Sequence, residues 1–392
     1  MLDAWDINKK VEENVYFNFG VPIVENRKKK DNSFVHVDLF SGCGGFSCGF
    51  EQSGFVTELA IDIHKPSIET IKKNHKNTST ICGDIRKINP KDCKKLVTTK
   101  SKNIVITAGV PCQGFSRSNR KQHDDDERNF YFTELLKFVE EFNPSAVIVE
   151  NVSGIAKAKE GYFLKTISNE ISKLGYKVHT NLINSAEYGV PQIRKRFFFV
   201  GVKKDYKWLF PPKTHSQENF VTVGDAILGD LPSLENNQLK NSYKGNPKNA
   251  FQSMLRKNSN ELTNHLSPNH PQGTINMIKN TKPGDPMYKR FKQRIRLNKN
   301  FPSPTQVCGG IRPQFQFGHP TQSRGLSIRE RARIQTFPDS YKFAGGITQG
   351  RVQTGNAVPV LVAKVLSKQL KRMFEGKRLK GDKGNLEQLD LF

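Results

Sequence analysis

From residue 34 onward, short runs of β-branched and aromatic residues alternate with stretches of helical periodicity. The apolar runs cover 34–40 (FVHVDLF), 56–62, 103–109, 145–149 and 196–202. Each is four to eight residues long, and several stop at glycine-rich turns, as buried parallel strands do. Between them, 66–75, 130–142 and 162–174 read as amphipathic helices. Strand–helix alternation of this kind predicts an α/β fold, a doubly wound parallel sheet of Rossmann-like type. From about residue 203 to 300 the alternation fades into Asn-, Lys-, Pro- and Gly-rich sequence, and helical character returns at 327–335 and 359–374. The expected organisation is an N-terminal extension (1–33), a catalytic domain (34–204), a smaller domain (205–344), a segment returning to the catalytic domain (345–375) and a flexible tail (376–392). There are no internal repeats.

Length supports this division, because 392 residues exceed one ordinary domain. Charge adds a partner. Lys and Arg outnumber Asp and Glu by 62 to 37, for a net charge of +25, which points to a polyanion, usually nucleic acid. A solvated basic surface is the plainer alternative. The excess is concentrated in 287–300, where Lys289, Arg290, Lys292, Arg294, Arg296 and Lys299 occur without an acid, interleaved with Tyr288 and Phe291. Six cysteines without a Cys-x-x-Cys pair argue against a zinc site or a disulfide framework, so no metal is expected. No run is long enough to span a membrane and the N-terminus lacks an apolar signal core, so a cytoplasmic protein is expected.

Three places carry candidate chemistry. The first apolar run leads into Phe40-Ser41-Gly42-Cys43-Gly44-Gly45, a turn that lets backbone approach a ligand. Asp62 closes the next run about twenty residues on, placed to accept from ribose hydroxyls. Asp84 follows a third short strand and could meet an adenine amino group. This pattern alone does not separate S-adenosylmethionine from a dinucleotide. Second, the run ending at Gly109 leads to Val110-Pro111-Cys112-Gln113-Gly114, a Cys just past the carboxyl end of a strand. A free Cys is most often a small buried hydrophobe, but loops at this edge of an open sheet bind ligands. Third, the next strand ends in Glu150, a candidate general acid or a mere cap. The strand after it begins with Arg194-Lys195-Arg196, two arginines on one face at period two.

Together these motifs resemble the DNA (cytosine-5) methyltransferase family of bacterial and phage restriction–modification type. DLFSGCGGF resembles its cofactor loop, GVPCQGFS its nucleophile loop, ENV its acid and QIRKRFFFVG its arginine strand. RGLSIRERARIQTFPDSY (324–341) resembles the motif bordering its recognition domain, and QTGNAVPVLVA (353–363) its last helix. The six occur in family order over residues 34 to about 374. Asp62 departs from the pattern, standing where many members carry Glu.

The resemblance implies methyl transfer from S-adenosylmethionine to carbon 5 of a flipped cytosine in double-stranded DNA. Cys112 would add to carbon 6, Glu150 would act at N3, Arg196 at O2, and Arg194 would support Glu150 or the nucleophile loop. The cofactor would be held by Phe40, Ser41, Gly42, Gly44, Gly45, Asp62, Ile63, Asp84, Ile85, Pro111, Asn356 and Ala357. DNA contacts would come from Gln113, Ser116, Arg117, Lys289, Arg290, Arg294 and Arg296. A monomer that protects DNA in a restriction–modification system is expected. The alternatives are a tRNA cytosine-5 methyltransferase, against which the absence of a Cys-Phe-Thr tripeptide speaks, and a non-catalytic DNA-binding relative.

Overall fold

The structure, a computed structural model, describes residues 34–99, 101, 103–111, 131–156, 161–308 and 316–381. The expectations for 1–33, for Cys112, Gln113, Ser116 and Arg117, and for most of the C-terminal tail lie outside the described residues.

β1 (Phe34–Leu39), β2 (Val56–Asp62), β3 (Ser79–Cys82), β4 (Asn103–Ala108), β5 (Ala146–Val152), β6 (Tyr176–Asn184) and β8 (Lys195–Lys203) form one seven-stranded sheet in the order β3-β2-β1-β4-β5-β8-β6. The two-residue β7 (Gln192–Ile193) lies outside it and pairs with Ser303–Pro304. β1 is buried along its whole length, which is why its sequence reads as a nearly continuous apolar run. Alternate residues of the inner strands feed opposite faces. Ile106, Val147, Val149 and Phe199 join one core with α4 (Tyr131–Phe142) and α5 (Tyr162–Lys173), whose Leu135, Phe138, Val139 and Leu164, Ile167, Ile171 supply the helical stripes. Val105, Ile148, Phe198 and Val200 join the other core with α1 (Gly45–Glu51) and the C-terminal helix, Val360–Phe374. α2 (Lys65–Asn74) and α3 (Pro90–Lys95) complete the layers around β2–β4.

Two features differ from the expectation. β8 runs antiparallel to both neighbours, so the sheet is not wholly parallel. The connection from β6 to β8 spans only residues 185–194, too short for the crossover that a parallel pair needs. β6 was not anticipated from the apolar runs, because as an edge strand it alternates buried and exposed positions instead of forming one.

Beyond β8, α6 (Val223–Ile227), α7 (Ala250–Arg256) and α8 (Gln272–Asn280) are short helices joined by long irregular segments. α6, and α7 through Phe251, share a small apolar cluster that includes Val223, Ile227, Leu262, Leu297, Phe317 and Leu326. α9 (Ile328–Ile334) contributes Ile334 to that cluster and Ile328 and Ala332 to one containing Cys43 and Cys48, so it bridges the two parts of the molecule. α10 (Ile347–Asn356) and α11 (Val360–Phe374) then return the chain to the sheet. Gly45 and Gly49 of α1 admit α11 closely, since a Cβ on Gly45 would overlap the Val358 carbonyl and one on Gly49 the Ala363 methyl. Among the described residues no helix is long and apolar enough to cross a membrane.

Candidate active site

The antiparallel β8 decides the geometry of the site. Its first residues lie at the edge of the sheet where β1, β4 and β5 end, so Arg194, Arg196, Glu150, the 109–111 turn and the Gly-rich loop converge on one rim. This is the edge at which open α/β sheets bind ligands.

Glu150 is 8% exposed. Arg196 Nε lies 3.0 Å from its Oε1, an ion pair that is not a linear hydrogen bond, since that oxygen has no hydrogen-bond partner among the described residues. Buried acceptors are nearly always satisfied, so the orphaned oxygen marks a place for a further donor. Arg194 lies deeper, 2% exposed. Its Nη1 donates to the carbonyls of Gln306 and Gly355, both at 3.1 Å, and its Nε has no hydrogen-bond partner among the described residues. Burial first, and the neighbouring Arg196 second, push its pKa down to about 9, so it stays cationic at neutral pH. Of the two arginines, Arg196 pairs with Glu150, while Arg194 ties the strand to residues 306 and 355.

The Gly-rich loop is braced from below. Asp38, fully buried, accepts from Ser47 N (3.2 Å), Ser47 Oγ (2.6 Å) and Thr107 Oγ1 (2.9 Å). Burial outweighs these bonds and raises its pKa to about 7. His36 lies alongside on the same strand, bridging Thr57 Oγ1 and Thr107 Oγ1 at 3.0 and 2.8 Å, and burial holds it neutral. In the loop itself Phe40, Gly42 and Gly44 all have positive φ (53°, 52° and 84°), a region that favours Gly and strains Phe40. Open space adjoins Gly42, where an added Cβ would meet nothing within 4 Å.

Asp62 points back at this loop. Its Oδ2 accepts from Gly42 N and its Oδ1 from His64 N, both at 2.7 Å. Burial raises its pKa against the pull of these two donors. Each oxygen keeps a second lone pair for a ribose hydroxyl. Beside it Ile63 is 54% exposed, an apolar plate out of place in solvent, while Ile85 is buried below. These features fit S-adenosylmethionine: an open cradle, an anchored carboxylate and an apolar surface for adenine. Asp84 directly precedes Ile85, after β3. Its carboxylate is engaged by Arg86, with Nη2 at 2.6 Å and Nε at 3.0 and 3.1 Å, and it also caps the turn at Ile85–Lys87. Burial opposes its ionisation, but Arg86 prevails and lowers its pKa. Ser41 hydrogen-bonds the Ile61 carbonyl and Pro111 is half-buried. Ala357 packs with Cys43, whereas Asn356 is exposed at the end of α10.

Of the basic residues at 287–300, Lys289 and Arg290 are exposed. The Arg294 guanidinium lies 4.4 Å from the Phe291 ring centroid and 5.8 Å from that of Tyr288. Arg296 is half-buried and caps α8. Its Nη1 donates to the carbonyls of Ile278, Lys279 and Thr281 at the end of α8, and its Nε to that of His319, so these two nitrogens are committed within the protein. Sequence reasoning also missed the buried amides behind the site. Gln192 donates to Gln335 Oε1 (3.0 Å) and accepts from Gln306 N (2.7 Å), and Gln335 donates to the Thr354 carbonyl (2.6 Å). Nothing in a single sequence distinguishes such glutamines from exposed ones.

The profile of the C-5 cytosine-specific DNA methylase family matches residues 34–372. The chain is 35% identical to the Type II methyltransferase M.DdeI of Desulfomicrobium norvegicum, over 88% of this chain and 90% of that protein. It is 32% identical to M.NgoFVII of Neisseria gonorrhoeae, with 94% and 92% covered. A crystal structure of an Escherichia coli prophage protein, described as a DNA modification methyltransferase, superposes with a TM-score of 0.74 at 27% identity, covering 88% of this chain and all of that one. The Spodoptera frugiperda DNMT2 structure, at 18% identity, 87% and 100% coverage and a TM-score of 0.57, shares the fold. With its motifs in family order, its converging rim and a profile match over most of its length, the chain belongs to the C-5 cytosine-specific DNA methylases.

Proposed function

We propose that this methylase works through Cys112, Glu150 and Arg196, and that it protects one sequence of double-stranded DNA in a restriction–modification system. The family activity is transfer of a methyl group from S-adenosylmethionine to carbon 5 of cytosine, through a covalent adduct at carbon 6. The cofactor supplies an electrophilic methyl on sulfur; the chain must make carbon 5 nucleophilic. Addition of the Cys112 thiolate at carbon 6 does so by turning the ring into an enamine. Glu150, carrying a proton once the base is bound, shares it with N3 as negative charge develops and recovers it when Cys112 departs, and Arg196 donates to O2 while keeping Glu150 in place. After transfer, a base removes the carbon 5 proton and Cys112 departs. The observation that carries this reading is the buried Glu150–Arg196 pair, with an unsatisfied oxygen, on the rim where β4 leads towards Cys112.

In the same reading Phe40–Gly45, Asp62, Ile63 and Ile85 hold the cofactor, with Pro111 and Ala357 bordering it. The 205–344 region supplies sequence readout, with Lys289, Arg290 and Arg294 on phosphates beside Gln113, Ser116 and Arg117. The base must leave the duplex to react, at a cost of roughly a few kcal/mol. The Type II names of the relatives support the protective role, and the protein acts as a monomer in the bacterial cytoplasm.

The test is mechanism-based trapping. DNA containing 5-fluorocytosine should give a covalent adduct that maps to residue 112 and is absent in Cys112→Ser. An adduct at any other residue overturns the assignment. Glu150→Gln should lower kcat about 100-fold or more with DNA affinity unchanged.

A further inference from the structure

Residues 341–344 form a strap between the cofactor side and the recognition side, and its contacts are specific at every residue. Tyr341, 4% exposed, donates from its hydroxyl to the Cys43 carbonyl at 2.6 Å. His75 Nε2 lies 2.9 Å from the same hydroxyl. With the hydroxyl proton committed to Cys43, the imidazole is the donor. His75 Nδ1 faces Glu51 Oε2 of α1 at 2.9 Å. Lys342 and Phe343 are each held by an amide. Asn74 of α2 exchanges two bonds of 2.9 Å with the backbone of Lys342. Asn264, on the recognition side, does the same with Phe343 at 2.9 and 3.0 Å. Ala344 N donates to Thr70 Oγ1 of α2 at 2.8 Å, and Arg329 of α9 donates to the Tyr341 carbonyl at 2.7 Å. The phenol also sits where a Cβ on Gly44 would be, 2.6 Å from that position.

We propose that Tyr341 and His75 are positioning residues for S-adenosylmethionine: the phenol hydroxyl fixes the Cys43 carbonyl and so sets the curvature of the Gly42–Gly44 turn. The inference rests on the assignment of that turn to the cofactor. Among the described residues the hydroxyl bonds only the Cys43 carbonyl and His75, so its removal acts on the cofactor through this loop. Tyr341→Phe is the sharp variant, because the ring keeps its packing against Phe337 and Phe343, with centroids at 4.8 and 5.5 Å.

Calorimetric titration of the purified full chain with S-adenosylmethionine tests this, alongside steady-state kinetics on duplex DNA. Loss of one buried hydrogen bond should raise the cofactor Kd about 5- to 10-fold. Cofactor KM should rise in step, kcat at saturating cofactor should stay within about twofold, and DNA KM should not move. His75→Gln, which restores an N–H donor, should bind the cofactor more tightly than His75→Leu. A Tyr341→Phe Kd equal to wild type overturns the proposal, as does a rise in DNA KM equal to that for cofactor. Asp62→Ala separates the two levels. If it abolishes cofactor binding while Tyr341→Phe leaves it intact, the loop assignment stands and the strap proposal falls; if neither variant changes it, both fall.

Discussion

The inner strands of the sheet and the α9 junction are both buried, yet they are held together by opposite means. In the sheet, Phe197–Val200 and their neighbours pack apolar surface on both faces. In α9, all seven residues are buried although four are charged. Arg333 donates to Asp230 at 2.7 and 2.8 Å and to Asp339 at 2.6 to 3.2 Å. Arg324 forks onto Glu330 at 2.6 and 2.8 Å, and Arg329 binds Thr263, Pro338 and Tyr341. Dispersion and dehydration are tolerant of which side chain supplies them. A buried guanidinium fork is not, since it depends on every partner at once.

The largest test of that contrast is Arg333→Met. It leaves Asp230 and Asp339 without their shared cation and should cost about 3–5 kcal/mol in urea unfolding. Adding Asp230→Asn and Asp339→Asn should recover much of the loss, because the residual cost is uncompensated charge and not lost volume. Phe199→Leu, equally buried, should cost only about 1–2 kcal/mol. If Arg333→Met proves no worse than Phe199→Leu, the two regions are not different in kind.

Next in size is an opposite response to pH. Asp38, under the sheet's cofactor rim, has its pKa raised to about 7. The folded state therefore retains a proton that the unfolded chain releases near pH 4. Its contribution is full below about pH 4 and is lost as pH rises to about 7. Glu330, at the junction, is buried, but Arg324 and His319 hold it well below the usual glutamate range. Its contribution is present above about pH 4.5 and is lost as pH falls below it. Unfolding free energies from about pH 2 to 8 should thus lose an alkaline-side decline in Asp38→Asn and an acid-side decline in Glu330→Gln. The smallest stability effect belongs to the exposed cations. Lys289→Ala should change unfolding by less than about 0.5 kcal/mol, yet reduce the log–log salt slope of DNA binding by about 1.

The same contrast governs what could be read in the sequence. The apolar runs located four strands to within a residue at each end and stopped three residues short on β5, since burial on both faces leaves a local signature in β1 and β4. The motifs located the rim, because Glu150 and Arg196 sit at strand ends. The reversal of β8 was hidden by a connection whose shortness matters only once β6 is recognised. The role of Arg296 was hidden because a capping arginine and a phosphate-binding arginine are spelled alike. Likewise RERAR reads as a solvated helix until Asp230, about a hundred positions upstream, is known to meet it. Local apolar periodicity carries its own partner information; buried polar pairs do not.

The close seating of the final long helix on the first, through Gly45 and Gly49, bears on how the protein is made. The helix synthesised first waits for residues near 360–374 before its inner face is covered. Synthesis must therefore reach residue 374 before the Gly-rich loop has its floor. A chain truncated upstream of that helix should thus lack methyl-transfer activity.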